Sequence, residues 1–188
     1  MKKVGLLPLL LLLTLIPAQA AEKSWYLNPE LRYFRASYPN PLQAAVDGNK
    51  AESGVSVLSA EAQLSVYFPI SKNWLLGPSM SAAMDRFGAT NAWSLIYQFS
   101  FGASGLYFLQ EPGRGFFTRT ELGTCFANAR NSYGLSTSSN LGLALLSGAG
   151  FALPLSGALS ATLGANFAIK FIEGARYPAV TIGAGLIF

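Results

Sequence analysis

Apolar residues recur at every second position through most of the chain, and this alternation limits the fold more than any other feature of the sequence. One parity reads L-A-L-A-F-I-F from Leu159 to Phe171, and the other reads S-T-G-N-A-K from Ser160 to Lys170. A period of two is the period of a β-strand, whose successive side chains point to opposite faces. Eight such segments are predicted, at 24–36, 55–68, 74–86, 92–109, 116–127, 139–153, 158–171 and 177–188. The chain is therefore predicted to be all-β.

The first twenty residues have the layout of a secretory signal peptide. Two lysines precede an apolar run from Val4 to Pro17, and the small-x-small triplet Ala18–Ala20 follows. A membrane-anchoring helix is the alternative, but the run is shorter than the roughly 20 residues that a span needs and contains two prolines. We expect cleavage after Ala20, which leaves residues 21–188 as a single exported domain.

The links between the predicted strands alternate in kind. PISKN (69–73), EPGRG (111–115) and PLSG (154–157) are short and carry the proline, glycine and asparagine typical of turns. The other four links, near 37–54, 87–91, 128–138 and 172–176, vary in length. Three tight turns at one end and four loops at the other predict an eight-stranded antiparallel up-and-down β-barrel.

The distribution of charge indicates which face of this barrel points outward, and so separates a lipocalin-like barrel in water from one in lipid. Seven charged residues share the parity opposite to the large apolar residues: Glu30, Arg32, Glu61, Asp85, Arg119, Glu121 and Lys170. No charge falls in the middle of the apolar face, where one in lipid would cost about 2–4 kcal/mol. We therefore expect a lipid-facing apolar surface and a transmembrane barrel. The seven charged residues should form a lumenal ion-pair network, with room made by glycines of the same parity.

The chain resembles the small outer-membrane β-barrels of Gram-negative bacteria, such as the OmpA transmembrane domain and OmpX. The likeness rests on the signal peptide, the three tight turns and the closing segment AVTIGAGLIF with its terminal Phe188. The resemblance implies a place in the outer membrane, in contact with its lipid and lipopolysaccharide. It also implies that the barrel-assembly machinery reads Ile182, Ala184, Leu186 and Phe188 as a C-terminal assembly signal.

Residue usage argues against several classes of activity. The chain has no histidine and no G-x-S-x-G motif, so it lacks the base that small lipid A-modifying barrel enzymes pair with their serine. A serine–lysine pair using Lys170 remains open. With one cysteine, no histidine and no calcium-loop pattern, we expect no metal and no cofactor. Residues 21–188 carry eleven basic and nine acidic side chains, which is no basis for nucleic-acid binding.

Two interpretations of the lumen remain. In the first, charged side chains fill it, and the protein is a monomeric structural or surface-interaction barrel whose loops contact lipopolysaccharide or partners. In the alternative, the small inward residues of the sixth and eighth predicted strands leave a narrow pore for small solutes. A lipid A-modifying enzyme is the third and least supported interpretation. The segment 37–54 is the longest outward loop and the obvious place for recognition, although its composition is also that of a solvated loop.

Overall fold

A computed structural model of the chain describes residues 24–39, 42–51, 55–88 and 92–188. The predicted signal peptide, residues 1–20, lies outside these ranges. The described strands are β1 (Tyr26–Ala36), β2 (Ser56–Pro69), β3 (Trp74–Gly88), β4 (Trp93–Phe108), β5 (Gly115–Asn131), β6 (Ser136–Ser138), β7 (Gly142–Ser156), β8 (Leu159–Ile172) and β9 (Ala175–Ile187). Helix α1 (Leu42–Ala51) lies between β1 and β2. Nowhere in the described ranges is a helix both long enough and apolar enough to cross a membrane.

Eight of the strands form a closed ring. Each long strand pairs in antiparallel fashion with the next along the chain, and β9 pairs with β1 to close the sheet on itself. The short strand β6 continues the line of β7 along the same edge of β5 and pairs only with the end of β5, where Asn128 lies opposite Ser138. The predicted all-β, eight-stranded antiparallel up-and-down barrel is confirmed.

Two links at the loop end are more ordered than the sequence indicated. The link predicted at 172–176 is a two-residue turn, in which Glu173 and Gly174 have φ of 52° and 79°. Positive φ at both central residues is the type I′ geometry of tight hairpins, and glutamate at its first position gives no turn signal in the sequence. Within the link predicted at 128–138, β5 continues to Asn131, and its residues 128–130 pair with those of β6.

Side chains alternate between lumen and exterior along every long strand. In β8, Leu163 is 61% exposed on the outer surface, whereas its neighbour Thr162 is 5% exposed and points inward. Exposed aromatic rings lie beside the tight turns, as is typical of one rim of a membrane barrel: Trp25, Phe68, Trp74 and Phe116. The core of the molecule is therefore the lumen, and the outer surface is an apolar belt.

The segment 37–54 is not simply a solvated loop where it is described. It contains α1, and the side chains of Tyr38 and Val46 are buried against Phe87 and Ile96 at the loop end of the lumen. A polar sequence with isolated apolar residues gave no period from which to infer this packing. The described part of this segment therefore covers part of the barrel mouth.

Candidate functional site: the lumen of the barrel

Inward side chains occupy the lumen at several depths, including a buried apolar cluster of Phe34, Ala83, Ala168 and Ala179. A turn-end cluster of apolar side chains closes it beside the tight turns: Tyr67, Leu75, Leu106, Phe108, Phe117, Ala152 and Ile187. A mouth cluster, consisting of Tyr38, Val46, Phe87 and Ile96, occupies the loop end. The charged side chains that share the inward parity lie between these two clusters, away from water.

Arg119 is the centre of the charged layer. Its Nη1 donates to Glu30 Oε2 at 2.6 Å, and its Nη2 donates both to Glu30 Oε1 and to Asn28 Oδ1, the latter at 2.7 Å. The Nε atom lies 3.9 Å from Glu121 Oε1. Only 2% of Arg119 is exposed, so this guanidinium exchanges water for fixed carboxylate partners.

Arg32 binds the same carboxylate from its own strand. Its Nε and Nη2 donate to Glu30 Oε2 at 2.9 and 2.6 Å, because two residues along a strand bring side chains to one face. Its Nη1 lies 3.7 Å from Glu61 Oε2, in the strand that pairs with β1. Glu30 therefore lies between two arginines and joins β1, β2 and β5 across the barrel.

Neutral polar residues complete this layer. Gln63 donates to the Glu121 carboxylate, and Ser104 donates to the same oxygen at 3.1 Å. The Tyr67 hydroxyl lies 2.7 Å from the Ser104 hydroxyl, and Asn28 Nδ2 donates to the Leu186 carbonyl at 2.8 Å. All have the inward parity, so the alternation that assigned the charges could have identified them too.

Two of the seven predicted network residues point into the lumen but lie outside the ion-paired cluster. The Asp85 carboxylate accepts hydrogen bonds from the Tyr38 hydroxyl and the Ser59 hydroxyl, with no cation of the described chain within 4.0 Å. Asp85 lies close to the loop end of β3, and the side chains nearest to it there come from the mouth of the barrel. It anchors Tyr38, not an arginine.

Lys170 is the other exception. It is 4% exposed, and its Nζ has no hydrogen-bond partner among the described residues and lies 5.7 Å from the centre of the Phe34 ring. Beside it is a cavity of about 30 Å³, room for one or two water molecules. Polar residues line part of this cavity: Glu61, Glu121, Ser79, Ser81 and Ser100. Lys170 and the carboxylates are therefore separated by a space that water can bridge.

Tyr38 is protonated through the physiological pH range. Burial raises the pKa of its phenol well above the ordinary value, and the neighbouring Asp85 carboxylate raises it further. The phenol therefore remains a hydrogen-bond donor to Asp85. This bond fixes the start of the segment that carries α1 to the wall of the barrel.

The residues predicted to act as an assembly signal lie along β9 and just beyond it. Ile182 and Ala184 are exposed on the outer surface, Leu186 shares their parity, and the Phe188 amide donates to the Leu27 carbonyl at 3.0 Å. This placement leaves their side chains in the apolar belt. Their role in assembly stays a prediction.

No described group of three or more cysteine and carboxylate side chains is placed to hold a metal ion. The Nζ of Lys170, the candidate partner in a serine–lysine pair, lies at hydrogen-bond distance from no described serine hydroxyl. Cys125 is buried and unpaired. What this arrangement can do is hold buried charges in fixed positions.

Comparison with known proteins places the fold. No family model matches the sequence, and no curated protein matches it either. Among solved structures, the chain is similar to Ail, the attachment invasion locus protein of Yersinia pestis, in complex with the heparin analogue sucrose octasulfate. The TM-score is 0.58 and the identity 13%, over 87% of this chain and 97% of that chain. It is also similar to Neisserial surface protein A, with a TM-score of 0.52 and 14% identity over 88% of this chain and 96% of that chain. The protein thus has the fold of the small eight-stranded outer-membrane β-barrels.

Proposed function

We propose that this chain is an integral outer-membrane barrel with a structural or surface-interaction role and a lumen closed to solutes. The observation that carries the proposal is the layered lumen, in which the turn-end and mouth clusters enclose the Glu30–Arg32–Arg119 contacts. An eight-stranded barrel has an interior just wide enough for side chains to fill, so two apolar layers suffice to interrupt a water column. The loops would then carry the contacts with lipopolysaccharide or with a partner.

Planar-bilayer recording of the refolded protein tests the closed lumen. We expect no steady single-channel conductance from the unmutated chain, because ions would have to cross both apolar clusters. The double variant Phe87→Ala/Phe117→Ala removes one ring from each cluster and should introduce a leak. The matched control Phe101→Ala/Phe167→Ala removes two rings from the outer surface and should leave the conductance unchanged. Steady conductance in the unmutated protein contradicts the closed lumen.

Location and assembly are tested separately in cells. We expect the chain to fractionate with the outer membrane after removal of residues 1–20. Insertion through the barrel-assembly machinery should depend on the aromatic side chain of Phe188. Phe188→Asp should then lower the amount in the outer membrane while leaving export and cleavage intact. Normal outer-membrane levels of this variant contradict the assembly role.

A narrow pore for small solutes is the second candidate, favoured by one feature of the lumen. Apart from Leu146, the inward residues of β7 are glycine or alanine, and those from Gly142 to Gly150 are only half-buried. The cavity beside Lys170 adjoins this strand through Ala144 and Leu146. A water-filled path along β7 would need the mouth cluster to move aside. Conductance that appears in Val46→Asp but is absent in the unmutated chain would favour a gated pore.

A further inference from the structure

Every charged residue on the outer surface of the described strands is an arginine at the loop end. The side chains of Arg35, Arg86, Arg130 and Arg176 point outward near the loop ends of β1, β3, β5 and β9. Every acidic side chain within a described strand points into the lumen. No acidic side chain of the described chain lies within 4.0 Å of these four guanidinium groups. The outer surface is therefore cationic at one rim only, and its positive charges have no acidic partner within the described chain.

Two of these arginines stand in one row across three strands. Arg86 of β3 lies opposite Leu95 of β4, and Leu95 lies opposite Arg130 of β5. Because neighbouring strands are about 4.8 Å apart, the two arginine Cα atoms are separated by roughly 10 Å. Two extended guanidinium groups on either side of a leucine at this spacing can bind one tetrahedral phosphate between them.

Arg130 is held in position by its neighbours. Its Nε donates to Asn128 Oδ1 at 3.1 Å, and Asn128 Nδ2 donates to Ser138 Oγ at 2.7 Å. Ser138 belongs to β6, the short strand that pairs only with the end of β5. Since Asn128 is the next outward residue toward the apolar belt, this chain of hydrogen bonds directs Arg130 along the outer surface.

An aromatic surface continues from this pair of arginines toward the middle of the belt. The ring centroids of Tyr97 and Phe99 are 6.1 Å apart, and those of Phe99 and Phe126 are 5.0 Å apart with an interplanar angle of 22°. All three rings have outward parity on β4 and β5. Aromatic rings at this depth are typical of the membrane interface, where a lipid headgroup joins its acyl chains.

We propose that Arg86 and Arg130 form a binding site for the phosphorylated headgroup of a lipid in the leaflet at the loop end, with its acyl chains lying over Tyr97, Phe99 and Phe126. The inference rests on the proposed membrane location and deepens it by naming the residues and the ligand chemistry. Charge complementarity supports this site, because the guanidinium groups of Arg86 and Arg130 have no acidic partner in the described chain and lie beside an aromatic and apolar surface.

The test is lipid retention by the full barrel, refolded in mixed vesicles of phosphatidylcholine and diphosphoryl lipid A, and read by native mass spectrometry after extraction. We expect the unmutated chain to retain lipid A, and Arg86→Gln/Arg130→Gln to reduce that retention about tenfold or more. The control Arg114→Gln removes an exposed arginine from a tight turn at the opposite end and should change nothing. Equal retention by the double variant, or equal loss in the control, overturns the proposal.

Further measurements distinguish a failure of the proposed membrane location from a failure of the proposed arginine site. Failure of the unmutated chain to fold into vesicles, read as unchanged migration in unheated gels, contradicts the membrane location itself. Folding without any preference for lipid A over phosphatidylcholine contradicts only the arginine site. If soluble sucrose octasulfate displaces lipid A completely at equal concentration, the site is one for a soluble polyanion, and the lipid assignment is wrong.

Discussion

Gly183 of β9 lies directly opposite Arg32 of β1 at the seam that closes the barrel. A Cβ atom on Gly183 would overlap Cγ of Arg32 and would lie 2.6 Å from the Leu31 carbonyl oxygen. The absence of a side chain on β9 is therefore what lets the guanidinium of Arg32 reach Glu30 and Glu61. The same relationship recurs two residues further along each strand, where Gly185 lies opposite Glu30 and a Cβ atom on it would overlap Cγ of Glu30.

Gly183→Ala should destabilise the folded barrel by about 1–3 kcal/mol, because the added methyl group overpacks the lumen and displaces Arg32. The matched control is Gly164→Ala, in the adjacent strand and the same row, where the nearest atom to a new Cβ is the Ala149 oxygen at 3.3 Å. The control should lose less than half as much stability. Urea unfolding followed by the fluorescence of the three tryptophans measures both variants. Equal losses would mean that the space opposite Arg32 is not what matters.

Strand alternation predicted the fold well because a closed barrel in lipid imposes one rule on every strand. Each long strand has an apolar outer face and a polar or small inner face, so the parity of Leu163 and Thr162 could be read from the sequence. Ring closure then fixed the topology. The prediction was weaker at the loop end, where no repeating pattern reports contacts, and there the turn at Glu173–Gly174 and the packing of Tyr38 and Val46 came from tertiary structure.

The sequence predicted which face of the barrel each site residue points to, but not which residues it contacts. Parity placed Asp85 and Lys170 on the inner face, yet it carries no information on depth along the barrel axis. Depth decides the partners, because Asp85 lies near the mouth beside Tyr38 and Ser59, while Lys170 is beside Phe34 and a small cavity. The strand register determines depth, and register depends on turn geometry that the sequence only partly encodes.

A charge on the belt tests which face touches lipid. Leu163→Arg places a guanidinium on the exposed outer side of β8 and should cost about 2–4 kcal/mol in barrels refolded into vesicles. The control is Leu141→Arg, since Leu141 is 73% exposed and precedes β7 at the loop end, outside the belt. It should cost little, because the new charge meets water. If the two variants unfold at the same urea concentration, the apolar face is not in lipid.

Removing a central cation tests the charged layer. Arg119→Met leaves the Glu30 carboxylate without its bidentate partner in a site hidden from water and should cost about 3–5 kcal/mol. Adding Glu30→Gln to the same chain should recover part of that loss, since it removes one of the buried carboxylate charges that then exceed the nearby cations. Arg114→Met, which breaks an exposed turn pair with Glu111, is the control and should cost less than about 1 kcal/mol. A loss in Arg119→Met no larger than that in the control would mean that water fills the lumen.

The hydrogen bond from Tyr38 to Asp85 should be visible in the alkaline stability of the barrel. The pKa of the Tyr38 phenol is raised in the folded chain, so above about pH 10 the folded state keeps a proton that the unfolded state loses. Folding then binds a proton, and this contribution to stability is complete below pH 10 and declines as pH rises. The decline should approach about 1.4 kcal/mol per pH unit.

Tyr38→Phe should therefore have two effects that can be measured together. At pH 8 the variant should be less stable by about 1–3 kcal/mol, because Asp85 loses a donor while staying buried. Between pH 10 and pH 11 its stability should fall less steeply than that of the unmutated chain, since the proton that folding binds at Tyr38 is absent. Urea midpoints measured at intervals from pH 8 to pH 11 report both effects. Tyr133→Phe, which changes an 80% exposed tyrosine at the same end, should retain the original stability and the original slope. Parallel pH curves for Tyr38→Phe and the unmutated chain would show that Tyr38 is not held in its protonated form by Asp85, and that α1 is fixed over the barrel mouth in another way.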